Sequence, residues 1–176
     1  MVAIPTLRTE RLALRPLAAA DLDPLAAMLG DAEVARFIGA GRPRDRTESW
    51  DALAWMLGQW ELRGYGMFAV ESRATGAFLG RVGILHPLDW PEPELAYALA
   101  RAAWGHGYAA EAAAAARAWA FDWFGFPRLA SFIHPDNHRS QRVAERLGAV
   151  REGWFTLVST QVEHWVHYPP GAGAIV

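Results

Sequence analysis

The stretch Trp104-Gly105-His106-Gly107-Tyr108-Ala109-Ala110-Glu111 stands between an alternating segment, Leu95 to Leu99, and an Ala-rich run that extends to Phe124. The alternation predicts a strand before it. The run from Ala109 to Phe124, polar only at Glu111, Arg117 and Asp122, predicts a helix after it, and a helix this apolar should be buried. Backbone N–H groups at a helix start, approached closely across glycine, form a site for a phosphate or pyrophosphate. An ordinary strand-to-helix turn is the competing reading. The stretch is not a P-loop, because the Lys and the Ser/Thr needed beside nucleotide phosphates and Mg²⁺ are missing. Nor is it a dinucleotide fingerprint, since the third Gly is absent and the loop follows an antiparallel meander.

Outward from this loop, the periodicity divides the chain into short elements. Arg11 to Leu17 alternates as a first strand, Asp21 is placed to cap a short helix carrying Leu22, Leu25, Met28 and Leu29, and Thr47 is placed to cap a longer helix that ends at Gly64. Met67 to Glu71, Phe78 to Leu85 and Leu95 to Leu99 then read as three neighbouring antiparallel strands, separated by Ala74-Thr75-Gly76 and the Pro-rich segment Pro87 to Pro93. Beyond the Ala-rich helix come a strand from Leu129 to His134, a helix from Asn137 to Leu147 stopped by Gly148, and a hairpin of Trp154 to Ser159 with Gln161 to Tyr168. This order predicts an α/β (α+β) arrangement with a mixed sheet. No repeat and no linker divides it, so 1–168 is expected as one domain, with 169–176 a loose tail rich in Pro and Gly.

Composition removes several function classes. With 176 residues, 52% of them hydrophobic, and nine Trp, the chain should bury roughly 70% of the surface its unfolded form exposes, which excludes disorder and small stapled scaffolds. All 17 basic residues are Arg, the formal charge is −2 and no basic run occurs. Nucleic acid and membrane are therefore poor partners. The absence of Lys excludes Schiff-base chemistry. The absence of Cys removes disulfides, thiolate nucleophiles and Cys-based metal sites, and suits a reducing compartment. No signal-peptide pattern and no stretch of 18 apolar residues is found, so a cytoplasmic location is expected.

A second loop lies thirty residues beyond the first. His134-Pro135-Asp136-Asn137-His138-Arg139-Ser140 joins a strand to a helix, and Val143, Glu145, Leu147 and Gly148 follow. The two loops together resemble the acetyl-CoA-dependent N-acetyltransferases of the GNAT superfamily, and within it the ribosomal-protein N-terminal acetyltransferase branch. The resemblance runs from Thr9-Glu10-Arg11-Leu12 through Glu94-Leu95-Ala96-Tyr97 to Arg151-Glu152-Gly153. The superfamily's pyrophosphate loop, Gln/Arg-x-x-Gly-x-Gly/Ala, falls on Trp104, Gly107 and Ala109, with Trp104 a departure from Gln or Arg.

The resemblance implies a mostly antiparallel mixed sheet with helices on both faces and one splayed parallel strand pair, Leu95 to Leu99 against Leu129 to His134. It implies acetyl-CoA as cofactor, its pantetheine arm paired with strand backbone at Tyr97, Ala98 and Leu99 and its diphosphate on Trp104, Gly105, His106, Gly107, Tyr108, Ala109 and Ala110. Tyr97 and Leu99 can equally serve as sheet core. Glu94 is implied as general base, with a solvated strand-edge carboxylate as the bland alternative. Many members carry a Tyr general acid seven residues after the Asn; here that position is Ala144, and the ribosomal-type branch offers Ser140 in its place, a hydroxyl that could also be a local cap. Asn137 is implied as a helix cap and as a ligand of the pantetheine arm. Cys being absent, the amine would attack the thioester directly. The rival reading is a non-catalytic acyl-CoA sensor.

The six His contain no metal-ligand spacing, so no metal site is expected. His134 and His138 flank the implied sulfur position as candidates for proton transfer, with surface or satisfied histidines the commoner arrangement, and Glu163-His164 is an acceptor-contact candidate. Trp50, Trp55 and Trp60 spread around one helix as core or groove lining. The segment implied to line the acceptor slot carries Arg36, Arg42, Arg44 and Arg46, which argues modestly against a polycationic amine unless they point outward to solvent, the commoner arrangement. A homodimer is compatible with the resemblance, but no interface can be read from the sequence.

Overall fold

The computed structural model describes residues 2–171. Its elements, in chain order, are β1 (Leu7–Arg8), β2 (Leu12–Arg15), α1 (Leu22–Gly30), α2 (Ala32–Ala35), α3 (Arg46–Arg63), β3 (Met67–Ser72), β4 (Phe78–Leu85), β5 (Glu94–Leu99), α4 (Tyr108–Phe124), β6 (Leu129–Ile133), α5 (His138–Arg146), β7 (Val150–Leu157) and β8 (Thr160–His167). They build one mixed sheet in the order β1-β2-β3-β4-β5-β6-β8-β7. Every neighbouring pair is antiparallel except β5 with β6.

Side-chain alternation gives the sheet two apolar faces. On one, Leu12, Leu14, Phe68, Val70, Val82, Ile84, Leu95 and Leu129 pack under α4, whose Ala112, Ala113, Ala116 and Ala120 are buried. On the other, Met67 and Ala69 meet α1 and α3 through Leu22, Leu25, Met28, Leu53 and Met56. Each fully buried Leu, Ile, Val, Phe or Met contributes about 1.5–3 kcal/mol of transfer free energy. The Ala face of α4 lets that helix lie close on the sheet, so enlarging Ala116, which is 0% exposed, to Leu should overpack the interface at a cost of about 1–3 kcal/mol. At Gly80 (φ +149°) a Cβ would stand 2.3 Å from the Ala98 carbonyl oxygen, so no other residue fits where β4 crosses β5.

Several local expectations are corrected. Asp45, not Thr47, caps α3, in a box where its carboxylate accepts from Glu48 N–H at 2.8 Å and Glu48 accepts from Asp45 N–H at 3.0 Å; an ionised carboxylate at the helix start outcompetes a hydroxyl one turn inside it. Asp21 does not cap α1 with its side chain. Its carboxylate accepts from Ala18 N–H and from the Arg15 guanidinium at 2.8 Å, because a partly buried arginine on β2 is a stronger partner than an α1 amide. β1 and α2 are too short to register as periodic patterns. The Ala-rich helix is buried on one side only, with Trp123 76% exposed. β7 begins at Val150, four residues early, because a bulge between Arg151 and Gly153 interrupts the alternation. The expected tail falls outside the described residues from 172 onward.

Candidate active site

The parallel pair β5 and β6 holds together at a single register position, Glu94 with Ala130. Ala130 N–H donates to Pro93 O at 2.9 Å. The next rung of a regular parallel ladder would run from Phe132 N–H to Leu95 O. That carbonyl is instead taken by the Ser131 hydroxyl at 2.7 Å, and Phe132 N–H faces Glu94 Oε1 at 3.5 Å. With the rung lost, the strands part and a cavity of about 970 Å³ opens between them.

Strand geometry decides which backbone groups face the opening. Ala100 N–H donates to Leu79 O, so by alternation Ala98 turns its peptide groups to Arg81 of β4, its partner in register. Ala98 is thus not available to an extra strand, which corrects one of the three expected positions. Leu95 and Leu99 point their carbonyls the other way, Leu95 to Ser131 and Leu99 to the Trp104 indole at 2.9 Å. Tyr97 lies between them in the same phase and presents free backbone to the gap. Its phenol crosses to α5 and donates to Ser140 O at 3.0 Å, and burial pushes that phenol well above the usual range.

α4 supplies the second component. Gly107 stands at φ +79° as its N-cap and no side chain caps the helix, so its first-turn amides have no intrahelical acceptor. A Cβ added at Gly105 would meet nothing within 4 Å. An open cradle of amides at the positive end of a 17-residue helix fits a diphosphate. Trp104, Gly105, Gly107, Tyr108, Ala109 and Ala110 line the cavity; the His106 ring lies outside the lining, stacked on Tyr108, while its carbonyl accepts from Arg11 at 2.9 Å. Arg11 also pairs with Glu111 at 2.6 Å, and Glu111 takes the Thr9 hydroxyl at 2.5 Å. This brace fixes the start of α4 against the β1–β2 connection.

Glu94 lies at the fork, on the cavity wall. Burial pushes its carboxyl up to about 7; the Trp90 indole, donating to Oε2 at 2.6 Å, and the more distant Arg81 charge act the other way. A carboxyl poised near neutrality in a cleft suits general-base work. Asn137 caps α5, accepting from Ser140 N–H at 3.3 Å, and Ser140 is among the residues that line the cavity. Ala144, fully buried against Ile133 and Trp165, brings no polar group to the site.

Other sequence candidates separate. His134 lines the cavity; His138 bonds Gln141 instead. Glu163 is consumed by Arg151, Gln141 and Trp165, and His164 bonds Glu92 at 2.9 Å, so neither lines the cavity and the acceptor-contact expectation for them is corrected. Trp60 is core, whereas Trp50 and Trp55 are exposed. Of the four arginines, Arg36 lines the cavity, while Arg42 and Arg46 pair with Glu48 and Asp23. Sequence reasoning overlooked Arg81 on β4 and Trp90 in the Pro-rich connection; a lone charge within an otherwise apolar strand was the available signal for Arg81. Among the described residues no cluster of metal-holding side chains is present and no helix is long and apolar enough to cross a membrane.

The sheet is thus forked at one parallel pair, with an uncapped helix start beside the fork. The chain belongs to the GNAT acetyltransferases: the family model described as Acetyltransferase (GNAT) domain matches residues 11–150. YkkB of Bacillus subtilis strain 168, an uncharacterised protein, is 34% identical over 153 residues, covering 84% of this chain and 87% of its own. The crystal structure of an acetyltransferase from Agrobacterium tumefaciens strain C58 shares 36% identity and a TM-score of 0.82 over 95% of this chain and 96% of that one. RimL, a ribosomal L7/L12 alpha-N-protein acetyltransferase in complex with coenzyme A, shares the fold at 15% identity, with a TM-score of 0.78 over 93% and 98% of the two chains.

Proposed function

We propose that this acetyltransferase moves an acetyl group from acetyl-CoA to a primary amine by direct attack, with Glu94 as general base and Ser140 as general acid. The observation that carries the reading is the position of Glu94: a carboxyl held near neutrality at the fork, in the cavity that also receives the uncapped start of α4. Acetyl-CoA, when bound, supplies an activated thioester carbonyl. The amides from Gly105 to Ala110 would hold its diphosphate, the Tyr97 backbone and Asn137 its arm, and the Trp104 indole, locked to Leu99 O, would replace the Gln or Arg of relatives by closing the loop. Glu94 takes a proton from the acceptor ammonium, directly or through water, since only the neutral amine has a lone pair to attack with. Trp90 holds one carboxylate oxygen, Oε2, and Phe132 N–H stands 3.5 Å from the other. Ser140 hands its hydroxyl proton to the departing thiolate and regains one from the nitrogen of the tetrahedral adduct, which sheds its second proton as the amide forms. The reading treats 1–168 as one catalytic unit.

Thermal unfolding with and without acetyl-CoA, with Mg²⁺-ATP as control, tests the donor. At 100 times the dissociation constant, linkage predicts about 2.7 kcal/mol of stabilisation, or about 5–11 °C. Thiol release across an amine panel, lost in Glu94→Gln, tests the reaction. A sensor module is the second reading, favoured by the buried Ala144 in place of a Tyr acid; it predicts the thermal shift with no thiol release for any amine.

A further inference from the structure

We propose that the acceptor is a small amine carrying a carboxylate, and that the Arg81 guanidinium receives that carboxylate while Glu94 takes the proton of the amine. The inference rests on the acetyl-transfer reading and names its substrate class.

Arg81 pairs with Ala98 of β5 and Ala69 of β3. Ala69, Ala96 and Ala98 all belong to the sheet face under α1 and α3, and Arg81 rises from that face, in phase with Glu94 four register pairs along. The short side chains of Ala96 and Ala98 leave the space above the sheet to the arginine. Arg81 lines the cavity, together with Arg36 and Phe37 of the loop after α2. The start of α4, which would hold the donor's diphosphate, belongs to the opposite face. Arg81 therefore stands in the acceptor half.

What sets Arg81 apart is the combination of a half-buried guanidinium, a place on the cavity wall and the lack of a partner. Arg15, Arg42, Arg46 and Arg101 each form an ion pair with Asp or Glu. Arg81 forms no hydrogen bond or ion pair with any described residue; its charged neighbours are Glu94, which attracts it without touching, and Arg44, which repels it. Burial lowers its pKa to about 10, so it remains charged at neutral pH. A half-buried guanidinium left unpaired has donors to offer, and its planar fork matches a carboxylate in two parallel hydrogen bonds. The Cα atoms of Arg81 and Glu94 lie roughly 14 Å apart by strand geometry. Two long side chains narrow that to the length of a small amino acid, which places amine and carboxylate at opposite ends of the gap.

The test pairs free amino acids with their C-terminal amides, on CoA-saturated protein for binding by thermal shift and with acetyl-CoA for thiol release. The wild type should favour the acids over the amides by about 30-fold or more, and Arg81→Leu should reduce that ratio to within about threefold, as expected when one partner of a desolvated charge pair is removed. Arg81→Lys, which keeps the charge and loses the fork, should fall between, and serves if the leucine variant does not fold. Equal handling of acids and amides by the wild type, a preference that survives in Arg81→Leu, or no thermal shift with any free amino acid would overturn the proposal. So would an Arg81-dependent preference for succinyl-CoA over acetyl-CoA with the amides, which would put the carboxylate on the acyl group. Arg81-dependent binding without thiol release keeps this inference and removes acetyl transfer. Thiol release indifferent to the carboxylate does the reverse.

Discussion

Ser131 gives its hydroxyl hydrogen to Leu95 O at 2.7 Å, so a side chain occupies the acceptor that the next β5–β6 rung needs. The Ser131 hydroxyl oxygen in turn lies 3.0 Å from His167 Nε2. With the hydroxyl proton committed to Leu95, His167 must carry its hydrogen on Nε2 and donate. Its Nδ1 is then a bare, buried acceptor, and it has no partner. The fork is thus held by a chain of two side chains from β6 and β8 in place of backbone pairing.

Ser131→Ala removes the bridge and orphans both the Leu95 carbonyl and His167 Nε2. Urea unfolding should show a loss of about 1–3 kcal/mol, the usual penalty for a buried polar group left unsatisfied.

His167 should make the fold acid-sensitive. Burial, and secondarily the Arg117 charge, lower its pKa to about 4, against 6.5 for the free side chain. The unfolded chain therefore binds more protons between those values, so stability is full above pH 6.5 and falls as pH drops toward 4, by about 3 kcal/mol in all. Glu94 acts oppositely: its raised carboxyl makes the folded state hold the extra proton from about 4.5 to 7. The histidine contribution is read by comparing Glu94→Gln with Glu94→Gln/His167→Gln across pH 4–7. A slope unchanged by the second substitution would refute it.

In wild-type enzyme kcat/KM should rise with pH through about 7 as Glu94 ionises. Glu94→Gln should lower turnover by about 10²–10⁴-fold and abolish that inflection. Trp90→Phe deletes a hydrogen bond that favours the ionised form, so the inflection should move upward.

Glu111→Gln weakens the brace to Thr9 and Arg11 without touching the fork. The KM for acetyl-CoA should rise by about 5- to 30-fold with kcat nearly constant, the signature of lost binding common to ground and transition states. An equal fall in kcat would put Glu111 in the chemistry instead.

Periodicity and punctuation made most of the elements legible. Alternation in β3, β4 and β5, Gly64 at φ +76° behind α3, the Asn137 cap of α5 and Gly107 before α4 are local matters, decided by which backbone conformations neighbouring residues permit. The cradle at Gly105 to Ala110 follows from such rules, whereas Glu94 and Ser140 were pointed to only by the family resemblance. Tertiary structure decided the rest. Whether Ser131 reaches Leu95 rather than solvent, whether Ala98 turns to β4 or to the gap, and whether Arg81 finds a carboxylate all depend on residues distant in sequence. A strand pattern specifies faces with a period of two, but not which neighbour each edge will meet. Hydrogen-bond partners and the electrostatic surroundings of Glu94 arise only when eight strands are set in order, because desolvation and Coulomb forces act through space and leave no local trace in the chain.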